Sequence, residues 1–251
     1  MRYLGIEPQR PKVAVFDFTS CEGCELQLAN KEETLVDFLG NLEVMAFREI
    51  SSAASDDYDV ALIEGAVSRT DEVERLEKIR EQAKVVVALG TCACFGGVNR
   101  LKNAFDLDTA NREVYGDMPK ETLPVRAIKE VIQVELEVPG CPVNKAEVER
   151  VVQHVMLDVP FQFPVYPVCL ECRQRFNVCM FDQGQLCLGP IVRAGCDAPC
   201  PSASLGCWGC RGPAADANYD EFCRLAAERG FGEEEVAERI AFFGGFEGVA
   251  K

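Results

Sequence analysis

Two rhythms of apolar residues alternate along the first 160 positions. Short unbroken runs at 12–18 (KVAVFDF), 43–49, 59–64 (DVALIE), 84–89 (KVVVAL) and 131–138 read as buried strands. Between them, residues Leu26–Leu39, 71–83 and 145–156 carry apolar positions at helical spacing, the first stopped by Gly40-Asn41. Asn144 followed three residues later by Glu147 predicts the start of the last helix, with the Asn side chain as its cap. Strands alternating with helices predict an α/β domain built on an open, mostly parallel sheet with helices on both faces. Residues 98–123 scatter Asn, Asp and Pro among few apolar positions, which predicts a long surface loop serving as a contact surface.

The rhythm stops near Pro160. Three Pro fall within residues 160–167, and nine Cys follow in residues 168–223 with little periodicity. The reading is therefore three segments: a domain at 1–160, a Cys-rich module at 161–213 and a helical tail at 214–251. The module has so few aliphatic residues that metal binding is expected to supply much of its stability. The tail carries two amphipathic stretches, 217–229 and 233–243, and Glu233–Glu235 suit the N-terminus of the second helix.

Charge narrows the function. A formal net charge of -15 leaves no basic face for a nucleic acid. Residues 161–213 hold only three acids against four bases, so the segment densest in Cys is the poorest in carboxylates, as suits anionic thiolate-bound groups. No run of eighteen apolar residues offers a membrane span, and neither a charged-then-apolar leader nor a twin-arginine signal is present at the start. The expected location is cytoplasmic. Disulfides are scarce there, so the fourteen Cys are read as metal ligands rather than staples.

Four Cys of the first domain follow three of the predicted strands: Cys21 and Cys24 after the first, Cys92 in Gly90-Thr-Cys-Ala, and Cys141 in Pro139-Gly-Cys-Pro. The carboxyl ends of parallel strands share one edge, where ligand crevices form. Residues distant in sequence can thus surround one group, with Gly23, Gly90 and Gly140 giving the backbone room. Four thiolates are what a 4Fe-4S cluster requires. Cys94 has no fourth vacancy to fill and is assigned to packing.

In the module, Cys169, Cys172, Cys179 and Cys187 are followed by Cys196, Cys200, Cys207 and Cys210, making two sets of four. Two further 4Fe-4S clusters satisfy that count, and two tetrahedral zinc sites do so as well. Each set has one tight pair and two looser ligands, whereas a zinc ribbon uses two tight pairs. Cys223 shares helical spacing with Tyr219, Phe222 and Ala226 and is expected in a core. His154, the one His, stands on a helix far from the Cys sets. No Ser-His-Asp set, phosphate loop or dinucleotide fingerprint is present, so no catalytic side chain is assigned.

Cys21-Glu-Gly-Cys24, Gly-Thr-Cys92-Ala and Pro-Gly-Cys141-Pro resemble the proximal-cluster ligands of nickel-iron hydrogenase small subunits. The resemblance covers residues 12 to about 213 and implies a flavodoxin-like first domain followed by a small irregular, ferredoxin-like iron-sulfur module. It implies a separate large subunit holding the nickel-iron centre, and a relay of three 4Fe-4S clusters leading to a further redox subunit of flavin, ferredoxin-like or heterodisulfide-reductase type. Cys187-Leu-Gly-Pro followed by Cys196 has the spacing at which the family's distal set ends and its medial set begins. On that resemblance Cys169, Cys172, Cys179 and Cys187 are distal ligands, and Cys196, Cys200, Cys207 and Cys210 medial ones. Exported members begin the distal set with His and have three medial Cys; Cys169 and the additional Cys200 point to the cytoplasmic group instead. The 20 kDa subunit of respiratory complex I, which has adjacent Cys at the first ligand site and no second module, is the nearest rival. A zinc-binding scaffold is the other.

Overall fold

Val60–Glu64 and Val85–Leu89 consist almost wholly of apolar residues, and every residue of both strands is buried. A strand apolar on both faces needs cover on both, and these two lie at the centre of a five-stranded parallel sheet. The computed structural model describes Leu4, residues 11–30, Gly40 and residues 42–246. It divides into two compact units, Met1–Gln162 and Phe163–Lys251.

In the first unit the strands are β1 (Lys12–Asp17), β2 (Glu43–Ala46), β3 (Val60–Glu64), β4 (Val85–Leu89) and β5 (Leu136–Val138), in spatial order β2-β1-β3-β4-β5. All neighbours pair in parallel. This is the flavodoxin-like order, with its switch point between β1 and β3. The helices are α1 (Gly23–Ala29), α2 (Thr70–Gln82), α3 (Gly90–Phe95), α4 (Leu107–Tyr115) and α5 (Lys145–Met156). Leu76 and Ile79 of α2 join Ala14, Ile63, Val86 and Ile128 in one core cluster. Val148, Val151, Val152 and Val155 form the buried stripe of α5, whose cap is Asn144, its side chain accepting from the Glu147 amide at 3.0 Å.

Two expectations change. Residues 97–104 form a 3-10 helix, and α4 begins at Asp106, whose side chain accepts from the Thr109 amide at 2.9 Å. The segment expected to be a loop is thus largely helical, and α4 buries no residue, so no apolar stripe announces it. The strand expected at 131–138 is confined to Leu136–Val138. Residues 131–135 are turn and irregular backbone after a 3-10 helix at Ile128–Glu130, and the Glu135 carboxylate accepts from the Val86 amide at 2.7 Å. Of the helix expected at Leu26–Leu39, residues 31–39 lie outside the described residues.

The second unit holds α6 (Val168–Gln174), α7 (Pro199–Ser202), α8 (Tyr219–Glu228) and α9 (Glu233–Ala241). Contrary to the expectation of a module without a conventional core, it has an apolar one. Phe222, Ala226, Val236 and Ile240 from α8 and α9 pack with Val168, Phe181, Leu188, Ile191 and Val192. The aliphatic residues missing from the Cys-rich segment are supplied by the tail. Among the described residues no helix is long and apolar enough to cross a membrane.

Candidate iron-sulfur sites

Asp17, Glu64, Leu89 and Val138, the last residues of β1, β3, β4 and β5, stand in register along one edge of the sheet. From three of these ends the chain runs directly into a Cys segment. Cys21 and Cys24 flank the start of α1, Cys92 lies within α3, and Cys141 follows β5. The Thr91 amide donates to the Gly140 carbonyl at 2.9 Å, which ties α3 to the Cys141 segment.

The four sulfurs converge. Cys92 feels Cys141 and Cys21, and Cys24 feels Cys92. Two glycines show how closely the backbone approaches them. A Cβ on Gly90 would stand 2.4 Å from Cys24 Sγ, and one on Gly97 would stand 2.7 Å from Cys92 Sγ. Burial, then the Cys141 and Cys21 thiolates and Glu64, push the Cys92 thiol up to about 12. Burial and Glu64 push Cys24 well above the usual thiol range. Four thiolates crowded into a half-enclosed crevice are unstable by themselves, and a cationic iron core is what would offset both burial and mutual repulsion. The donor set therefore fits a cluster.

Three residues around this set carry no motif signal. Glu64 is buried at the end of β3, and its carboxylate accepts from the amides of Cys24 at 3.1 Å and Glu25 at 2.7 Å. Burial raises its pKa while those amides hold it down. Glu25 is 1% exposed with neither carboxyl oxygen hydrogen-bonded. Burial, then Glu64, push it up to about 8, so it keeps its proton at neutral pH and adds no further anion beside the thiolates. The Asn99 amide donates to Cys92 Sγ at 3.6 Å and to the Thr19 carbonyl at 3.0 Å, joining a ligand sulfur to the β1 end.

In the second unit Cys169 and Cys172 lie on α6, Cys179 precedes a 3-10 helix at Met180–Gln183, and Cys187 follows it. Burial, then Cys187, Cys172 and Cys179, push the Cys169 thiol up to about 12, so the other three lie near enough to act on it. A Cβ on Gly189 would stand 3.3 Å from Cys169 Sγ and 3.4 Å from Cys187 Sγ, and the Asn177 amide donates to Cys172 Sγ at 3.7 Å. Cys196, Cys200, Cys207 and Cys210 form the other group: burial dominates the upward shifts of Cys196, Cys200 and Cys207, Cys207 feels Cys210 and Cys196, and Cys196 feels Cys200. The two groups touch where the Cys207 amide donates to Cys187 Sγ at 3.2 Å and its carbonyl accepts from the Leu188 amide at 3.0 Å. Among the described residues no three of His, Cys, Asp and Glu make a group that could hold a single metal ion. A four-iron cubane instead presents a different iron to each thiolate, and its ligands stand correspondingly further apart.

Cys94 is fully buried, its thiol 3.6 Å from the Ala88 carbonyl. Cys223 is exposed, not in a core as its spacing suggested. Phe222 and Ala226 are the buried stripe of α8, and Cys223, one residue on, is turned away from it. His154 stacks edge-on against Phe161 at 5.1 Å, with Nδ1 2.8 Å from the Arg150 carbonyl.

Residues 21–155 match the family model described as NADH ubiquinone oxidoreductase, 20 Kd subunit. The chain is 35% identical to sulfhydrogenase 2 subunit delta of Pyrococcus furiosus, over 92% of its own length and 98% of the relative's. It is 30% identical to a subunit of the vhu F420-non-reducing hydrogenase of Methanocaldococcus jannaschii, over 94% of each. Its fold is similar to a chain of an NAD+-reducing [NiFe]-hydrogenase, with a TM-score of 0.57 and 23% identity over 62% of this chain and 96% of that one. It is also similar to a chain of the Dm. baculatum [NiFeSe]-hydrogenase, with a TM-score of 0.58 and 15% identity over 83% and 96%. The chain belongs to the family of the NADH ubiquinone oxidoreductase 20 Kd subunit and, within it, to the small subunits of hydrogenases.

Proposed function

We propose that this chain is the electron-transfer small subunit of a cytoplasmic nickel-iron hydrogenase. It conducts between a nickel-iron site in a separate large subunit and a further redox subunit of flavin, ferredoxin-like or heterodisulfide-reductase type. Clusters of the 4Fe-4S kind, bound at three sites, would supply one-electron transfer. The first site is Cys21, Cys24, Cys92 and Cys141. The distal site is Cys169, Cys172, Cys179 and Cys187, and the medial site is Cys196, Cys200, Cys207 and Cys210. The observation that carries this reading is the convergence, on one sheet edge, of four Cys from three strand ends, with Cys21 and Cys141 both acting on the buried Cys92 thiol.

The chain's own residues hold and tune. Glu64 fixes the start of α1, Asn99 orients Cys92, and Gly90 and Gly97 leave room for sulfur. Cys21 and Cys141 are exposed, and Phe105, Val114, Tyr115 and Met118 present apolar side chains to solvent. Apolar surface of that kind suits cover by a large partner subunit. In the second unit the exposed Cys179 has Val178 and the 94% exposed Phe176 beside it in sequence, which suits contact with a redox partner. Separation of Cys21 from Cys24 and the presence of a unit beyond the 21–155 match favour a hydrogenase subunit over the respiratory one.

Anaerobic purification is expected to yield about twelve irons per chain, four for each site, together with a nickel-containing partner. Stoichiometric zinc without iron would refute the cluster assignment. Cys21→Ala is expected to abolish electron flow from hydrogen to a dye acceptor, and unchanged dye reduction would remove Cys21 from the relay.

A further inference from the structure

Arg211 is the largest of the fully buried side chains, 1% exposed, and it directly follows Cys210. Its Nε donates to the carbonyl oxygens of Arg193 at 3.2 Å and Ala194 at 2.9 Å, in the segment that leads into Cys196. The guanidinium is thus fixed between two stretches of chain that each carry a Cys of the same set. A buried acid lies against that segment too. Glu171, on α6 between Cys169 and Cys172, accepts from the amides of Gly195 at 2.8 Å and Asp197 at 2.9 Å, with Cys196 Sγ at 3.9 Å.

Both charges act on the sulfur. The Glu171 carboxylate lies 3.9 Å from Cys196 Sγ, and Arg211 is held on the Arg193 and Ala194 carbonyls, just before Cys196 in the chain. A nearby positive charge favours the more negative state of a group built on that sulfur, and a nearby negative charge the less negative one. The guanidinium keeps its proton at every working pH, so its effect is permanent. In a water-poor surrounding such an effect is weakly screened.

We propose that Arg211 is a built-in positive charge that raises the reduction potential of the cluster held by Cys196, Cys200, Cys207 and Cys210, and that Glu171 is the opposing charge that limits the rise. The proposal rests on the cluster reading of those four Cys. Adding an electron makes a cluster one unit more negative. Arg211 therefore stabilises the reduced state and Glu171 the oxidised one.

The test is a redox titration of the complete hydrogenase complex, followed by the electron paramagnetic resonance of each reduced cluster, for wild type, Arg211→Gln and Glu171→Gln. In Arg211→Gln the reduced-to-oxidised ratio of this one cluster at a fixed poise is expected to fall about tenfold, about 59 mV for one electron. Glu171→Gln is expected to shift it the other way. Loosening of the fold would wet the site in both variants and move both in one direction. Shifts of the same sign, or no shift in either variant, overturn the proposal. Should Arg211→Gln fail to assemble, Glu171→Gln decides alone: a raised potential supports the charge pair, and an unchanged or lowered one overturns it. Wild-type protein carrying zinc in place of iron defeats the cluster assignment itself, and metal analysis recognises that outcome before any variant is compared.

Discussion

At the scale of single residues, the Cys sets depend on what stands beside them having no side chain. Gly90 has φ +88, a conformation L side chains rarely adopt, and its missing Cβ is space that Cys24 Sγ uses. Gly90→Ala is therefore expected to lose the first cluster and keep the other two, lowering iron from about twelve to about eight per chain. Twelve irons in that variant would show that the crevice can yield. The Cys outside the three sets separate by the same kind of detail. Cys94, on the buried side of α3, is fully enclosed while Cys223 is exposed. Iodoacetamide applied to the intact, metal-loaded protein is expected to label Cys223 and spare Cys94, as peptide mass mapping would report. The candidate Cys of the first site are legible from sequence because each follows a predicted strand, whereas those of the second unit are marked by one tight pair in each set and otherwise by count alone. The core expected around Cys223 fails because Phe222 and Ala226 alone define the α8 stripe, and helical spacing does not say on which side of such a stripe a neighbour falls. Glu64 and Asn99 have no motif of their own: Glu64 reaches Cys24 between segments far apart in sequence, and Asn99, on the 3-10 helix after α3, joins the nearby Cys92 to the distant Thr19.

At the scale of elements, α1 shows how the sheet prepares the site. Its cap residue, Glu22, has φ 60 and makes no side-chain capping bond. The first amides of the helix are satisfied from across the sheet, by the Glu64 carboxylate on Cys24 and Glu25. A carboxylate there also complements the positive end of the helix. Glu64→Ala leaves two buried amides unpaired and is expected to cost about 1–3 kcal/mol, read as a lower urea midpoint at unchanged slope. An unaltered midpoint would mean that water replaces the carboxylate. By comparison, Asn144→Ala removes a local cap from α5 and should cost about 1 kcal/mol by the same measurement. The strands β1, β3 and β4 and the helix α5 are readable from sequence because burial on one or both faces imposes a period. The α4 helix is not, because it buries nothing and its cap, Asp106, is the only local sign of it. The early part of 131–138 has strand-like composition, yet Ile132 enters the core from the turn that follows the 3-10 helix at Ile128–Glu130, and a turn has no period to read.

At the scale of the whole molecule, the two units solve the same problem by different means. The first builds its core from a sheet covered by helices and places four Cys at one edge of it. In the second the Cys-rich segment alone has too few apolar residues to fold around, which is why composition points to metal as the source of its stability. The core adds a second source, since Phe222, Ala226, Val236, Ile240 and Phe246 lie beyond residue 213 and are buried with Val168, Leu188 and Ile191. Each large apolar side chain removed from such a core forfeits roughly 1.5–3 kcal/mol of transfer free energy, so losing all of them is comparable with the whole stability of a typical domain. A chain ended after Pro213 and coexpressed with its partner is accordingly expected to keep the first site and lose the other two, with iron falling from about twelve to about four. If eight or more irons remained, metal binding alone would be organising residues 163–213, and the tail helices would be a covering rather than part of the core. The distinction matters for the relay, because Cys187 and Cys207 meet through a single amide at 3.2 Å, and a core that holds Leu188, Ile191 and Val192 in place holds that contact too.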